Sequence, residues 1–277
     1  MILRSHLWQA EVWPEFGMNT VSLKYADEEI LRAPDSPETL AKSPCVYGLP
    51  LQLPANRTAD GRFSVNGKDF HLPINEPARN CHIHGSLCKA AFQLEDLQED
   101  SVRAVLENRG EVFPLPFRLT VTYWLDDTGY HQEFCFRNTG EDDLPLCFGL
   151  HSSFQAKAFL SVSVGPKLDR DHRFLATGQF LPENDLDKAL SKGFDPQGQV
   201  FSEAYEIGSR TAQMGRFRYQ VSDNFSHWIL WNPGADSGFF CVEPQCGAPN
   251  ALNNGLGLQT VPPGDSITFS THISYLK

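Results

Sequence analysis

A carboxylate at the end of an apolar run, two histidines spaced by one residue, a third histidine beside a polar break and an Asn-Arg pair are the side chains in this sequence that could do chemistry. Glu243 closes the run Gly238-Phe239-Phe240-Cys241-Val242, and Pro244, Gly247 and Pro249 then turn the chain sharply and hold it. A carboxylate so placed is either a structural partner or a proton acceptor. His82 and His84 in Asn80-Cys81-His82-Ile83-His84-Gly85 would point the same way on an extended strand, which invites a metal. The positions after His84 lack the nearby Glu of a cupin-type site, and no Cys or His pair at zinc spacing lies close by. A structural role for His82 is the simpler reading, and no metal is expected. His84 precedes Gly85, which lets the backbone bend or a ligand approach closely, so it is the better functional candidate.

His151 ends the apolar run Leu144 to Leu150 and is followed by Ser152-Ser153-Phe154. Alone it reads more simply as a core or rim histidine bonded to a carbonyl. Asn56-Arg57 lies in a loop before a predicted hairpin, where Arg57 offers a fork of donors to an oxygen-rich ligand or to a salt bridge. No Gly-x-Ser-x-Gly elbow, Gly-x-Gly-x-x-Gly turn or Walker sequence is present, which disfavours serine acyl transfer, dinucleotide chemistry and ATP chemistry.

The elements that must position these groups are strands. Ser266 to Tyr275 alternates, with Ile267, Phe269, Ile273 and Tyr275 on one face. Asn66-Gly67 predicts a tight hairpin between 61–65 and 68–72, and Asp126 to Gly129 turns Phe117–Leu125 into the strand after it. Further strands are predicted at 9–13, 20–25, 90–97, 102–108, 144–154, 159–164, 227–231 and 238–243. Helical character is confined to Glu183–Lys192, with Pro182 before it and Gly193 as its stop. Lys167 to Gln199 reads as the least regular stretch, a long loop at one end of the sheets. No tandem period or charged linker divides the chain. The fold class is all-β, a large antiparallel β-sandwich, with residues 1–277 as a single domain.

Composition sets the outer limits. With 277 residues and 41% hydrophobic content the chain can bury a large core. Twenty-three Lys plus Arg against 34 Asp plus Glu give a net charge of -11 with no basic stripe, so neither nucleic acid nor an anionic membrane is an expected partner. No signal segment or membrane-spanning run is evident, and the seven scattered cysteines read as free thiols in a reducing compartment, so a cytoplasmic location is expected. The sequence carries no sign of oligomeric state.

Taken in order, Gly-x-Pro, Asn56-Arg57, Asp60-Gly61-x-Phe63-x-x-Asn66-Gly67-Lys68, His84-Gly85, Gly149-Leu150-His151, Glu243-Pro244 with Pro249-Asn250-Ala251, and Pro263-Gly264-Asp265 resemble the aldose 1-epimerase (galactose mutarotase) family from about Glu11 to Tyr275. The resemblance implies a supersandwich that binds a small-molecule sugar in a cleft across one sheet, with no metal or organic cofactor. It implies His151 as general acid, Glu243 as general base, and Asn56, Arg57 and His84 as sugar contacts. Two positions depart from the pattern. The family's His-Pro-Tyr-Phe is here His151-Ser152-Ser153-Phe154, removing an aromatic wall at Ser153. Its later sugar-binding Asp falls on Ser202, with Glu203 next door as the substitute contact. Besides an aldose epimerase, a carbohydrate-binding module without turnover, a hexose-6-phosphate 1-epimerase using Arg79, Lys89 or Arg109, and a metal enzyme built on His82 and His84 are the competing readings.

Overall fold

The computed structural model describes residues 1–157 and 159–276. Two antiparallel sheets carry most of the chain, one of 14 strands and one of four, with three two-stranded ribbons beside them. The small sheet is the N-terminal meander Ile2–Ser5, Trp8–Trp13, Asn19–Tyr25 and Glu28–Glu29. Side chains from both sheets meet between them: Tyr25 stacks on Tyr275 with ring centroids 4.3 Å apart, and the Tyr130 and Thr20 hydroxyls lie 2.6 Å apart. This is the expected antiparallel sandwich.

Alternation explains the large sheet's body. Phe117, Leu119, Val121, Tyr123 and Leu125 are buried while the residues between them are partly exposed, and the paired strand Tyr130–Asn138 repeats the pattern. Because successive side chains point to opposite faces, one face of each strand joins the core. Phe148 packs against Phe134, Phe136, Phe225 and Phe269 and ties this half of the sheet to the half that carries the cleft. The outermost strand, Gln93–Leu97, is exposed at every residue and has a register shift between Leu94 and Asp96. Among the described residues no helix is long and apolar enough to cross a membrane.

Two expectations are corrected. Lys167 to Gln199 is not one long loop: the strand Leu160–Arg170 runs into it, turns, and pairs with Ala176–Leu181 before the helix Asp185–Lys192. That helix begins where Asn184 and Asp187 cap each other reciprocally, and Gly193 ends it. The predicted strand 144–154 is three short ones, because the chain changes partners twice. Leu144–Leu146 pairs with Gln259–Val261, Gly149–Leu150 with Gln245 and Leu51–Gln52, and Ser153–Gln155 with Phe239–Cys241.

Candidate active site

The break between the last two of those strands makes the site. Gly149 pairs with Gln245 and Ser153 with Cys241, so the registers on either side place His151 opposite Glu243 across an antiparallel pair. His151 Nε2 lies 3.2 Å from Glu243 Oε1. Gly149 permits this register, since a Cβ there would stand 2.8 Å from Gln245 Cγ and 3.1 Å from Ala55 Cβ.

The pair lines a cleft of about 430 Å³ together with Asn56, Arg57 and His84. His84 reaches it through a left-handed backbone, φ 63°, followed by Gly85 at φ 65°. Any Cβ on Gly85 would strike the Leu53 carbonyl, so glycine alone fits that bend. Gln52 Nε2 donates to His84 Nδ1 at 2.7 Å, which leaves the His84 proton on Nε2. The His84 and His151 rings meet edge to face at 5.0 Å. Gln245 Nε2 donates to Glu243 Oε2 at 3.0 Å. Asn56, at φ 57°, accepts the His84 backbone N–H on its carbonyl and the Arg57 N–H on its side chain. Arg57 is fixed by a two-pronged pair with Glu76 at 2.7 and 2.9 Å.

Burial sets the protonation. Glu243 and His151 are 1% and 4% exposed. Removal from water pushes the Glu243 carboxyl well above the usual carboxylate range, opposed by the Gln245 hydrogen bond and the charge of Arg57. It pushes His151 down to about 4 and His84 well below its ordinary value, the latter helped by His151 and Arg57. Partnership alone would favour an imidazolium beside a carboxylate. Desolvation of the two buried groups opposes this and favours a neutral imidazole beside a protonated carboxyl.

The structure thus brings five of the six sequence candidates, Asn56, Arg57, His84, His151 and Glu243, to one cleft. Glu203 does not line it. Its carboxylate pairs with Lys167 at 2.8 Å and stands 3.7 Å from Arg170, while Ser202 lines the cleft instead. His82 is held by its Nδ1–H donating to the Pro73 carbonyl at 2.7 Å and does not line the cleft. Ser153 is buried, bonded to the His151 carbonyl and Cys241, and does not line the cleft. Trp231, edge-on to His151 at 5.6 Å, and Phe174 provide aromatic surface instead. Arg170 and Arg79 also line the cleft, whereas Lys89 and Arg109 do not. The guanidiniums of Arg79, Arg57 and Arg170 sit 4.6, 5.2 and 5.3 Å from the Phe174 ring.

The fold and the site define the class: a large antiparallel sandwich whose cleft holds a paired carboxyl and imidazole among hydrogen-bonding side chains. Within that class the chain belongs to the aldose 1-epimerase family, whose model matches residues 9–274. It is 25% identical over 224 residues to the uncharacterized protein YihR of Escherichia coli, covering 76% of this chain and 72% of that one. It is 30% identical over 117 residues to galactose mutarotase of Rattus norvegicus, a match spanning 42% of this chain and 33% of the rat protein. Among solved structures, a galactose mutarotase-like protein from Clostridium acetobutylicum superposes with a TM-score of 0.91 at 23% identity, over 99% of this chain and 95% of that one. An aldose epimerase homologue from C. elegans gives 0.78 at 13% identity, over 100% and 99%. At these identities the structural likenesses establish the fold.

Proposed function

We propose that this protein interconverts the anomers of an aldose by general acid–base ring opening, with His151 and Glu243 as the reacting pair. The supporting observation is their 3.2 Å contact in the cleft. Opening a pyranose removes a proton from the C1 hydroxyl and delivers one to the ring oxygen. Both oxygens are carried by the same carbon, so the two protein groups must also be neighbours. The pair holds one proton to give and one lone pair to accept. When sugar hydroxyls reach the pair, the proton passes from Glu243 to His151 along their contact, in a field that Arg57 already biases toward the carboxylate. Glu243 then takes the C1 proton while His151 protonates the ring oxygen. The aldehyde rotates about C1–C2, and closure from the other face reverses both transfers. His84, offering Nε2–H, and Arg57 orient hydroxyls.

Each transfer contributes on the order of a hundred- to ten-thousand-fold. Polarimetry on freshly dissolved anomers of several aldoses tests the reading, with Glu243→Gln and His151→Asn expected to lose that factor while keeping the fold. Full activity in either variant removes the mechanism. Sugar binding by calorimetry with no change in anomerisation rate would instead favour a carbohydrate-binding module.

Three guanidiniums in the cleft lining favour a second reading, a phosphorylated hexose as substrate. Arg57 and Arg79 share the single carboxylate Glu76, so their charge is only half compensated. Under this reading Arg79→Ala raises KM for a hexose 6-phosphate and leaves neutral aldoses unaffected. Equal rates for both sugar types and no Arg79 effect would dismiss it.

A further inference from the structure

Beside the acid–base pair stands a group that the proposed reaction does not use. Cys241 lies two residues before Glu243 on the strand Phe239–Gln245, so both side chains share one face. Its thiol is buried, 3.3 Å from Ser153 Oγ. One ligand atom each from His151, Cys241 and Glu243 falls within 4.8 Å of the others, and all three residues are buried.

An imidazole nitrogen, a thiolate and a carboxylate oxygen are the donor types that zinc takes, at about 2.0–2.3 Å. Tetrahedral bonds of that length separate ligand atoms by roughly 3.3–3.8 Å. His151 and Glu243 are already that close, and the sulfur needs to move by no more than about 1 Å. Thiolate and carboxylate together cancel the two charges of the ion, which suits a buried site. Magnesium and calcium prefer all-oxygen ligands and gain nothing from the sulfur.

We propose that His151, Cys241 and Glu243 form a binding site for zinc or another thiophilic divalent cation, with the fourth position open to water or a sugar hydroxyl. The bound ion occupies the lone pairs that proton transfer requires, so it switches turnover off. Only this inhibitory consequence rests on the acid–base reading; binding itself does not.

Cobalt(II) is the spectroscopic probe and zinc the competitor. Metal-stripped protein is expected to develop a thiolate-to-cobalt charge-transfer band that zinc abolishes and chelator reverses. Cys241→Ser loses the band and weakens zinc binding by more than the ~10–100-fold that loss of an outer-shell partner costs. Cys241→Ala is the second variant, and near-UV circular dichroism checks the fold of each. Cys45 and Cys88 form a rival thiol pair, with sulfurs 3.7 Å apart and Cys45 in the cleft lining. The doubly substituted Cys45→Ser, Cys88→Ser protein should keep the band. Micromolar zinc should stop anomerisation in the wild type, millimolar magnesium should not, and Cys241→Ser should turn over normally in either. Absence of a thiolate band, or a band lost in the double variant and kept in Cys241→Ser, overturns the site. A Cys241-dependent band in a protein that anomerises no sugar upholds the site and refutes the catalytic reading instead.

Discussion

Replacing His151 by Asn should change how stability depends on pH, in a direction that reveals the charge state of the resting pair. In an unfolded chain His151 would titrate near its ordinary 6.5, whereas burial holds it at about 4 in the folded protein. Between those values the unfolded chain binds more protons, so stability is fully present above pH 6.5 and is lost as pH falls toward 4. The loss contributed by this one side chain between pH 7 and pH 5 comes to about 2 kcal/mol. His227, also held at about 4 by burial, acts in both proteins and cancels in the comparison. Urea unfolding followed by tryptophan fluorescence at pH 7 and pH 5 reads the effect directly, because two stabilities per protein suffice. The drop from pH 7 to pH 5 should be smaller in His151→Asn by that amount. An unchanged drop refutes the burial argument. A larger drop in the variant would mean that His151 is raised above 6.5 in the folded state, an imidazolium paired with a carboxylate. Glu243→Gln supplies the complementary check. A carboxyl raised by burial makes stability fall as pH climbs beyond the ordinary carboxylate range, so the glutamine variant should exceed the wild type in stability at pH 7.

The same protonation governs rate: anomerisation followed by polarimetry should hold through pH 6.5 and decline only near pH 4, where His151 takes up a second proton and no acceptor remains. An acid limb centred at 6.5 would contradict this. Gly149→Ala should cost about 1–3 kcal/mol, measured as a lowered melting temperature, because its methyl meets Gln245 and Ala55 in a packed sheet. Gln245→Leu removes the amide that holds Glu243 and should lower kcat about tenfold with KM unchanged, the size of one hydrogen bond. A change confined to KM would assign Gln245 to sugar binding.

Where one side of a strand is buried, the sequence could be read directly. Ser266–Tyr275 has the predicted bounds, and Asn66-Gly67 turns its hairpin with φ of 50° and 76°. Ala176–Leu181 escaped because five of its six residues are exposed and leave no alternation. The strand Leu160–Arg170 outran its prediction because register shifts near Val162, Val164 and Lys167 break its period. In the site, His151 and Glu243 are visible as polar residues ending apolar runs, and His84 as a histidine before a glycine. Glu203 is the carboxylate next to Ser202, where the family's Asp would fall, yet adjacent residues on a strand face different ways, and Ser202 lines the cleft. Arg170 and Phe174 come from one hairpin and Trp231 from a distant strand, and only tertiary structure could bring them beside Arg79.

The exposed outer strand, Gln93–Leu97, bears on how the protein behaves in crowded solution. An edge presents free N–H and C=O groups to any passing chain, and Leu94 and Leu97 are 41% and 49% exposed there. The register shift between Leu94 and Asp96 interrupts the regular ladder that an incoming strand would copy. Glu95 is occupied with Arg103 on the adjacent strand and Arg118 on the one beyond it, so the edge is laced inward with charge. That border of the large sheet is thereby a poor template for edge-to-edge pairing.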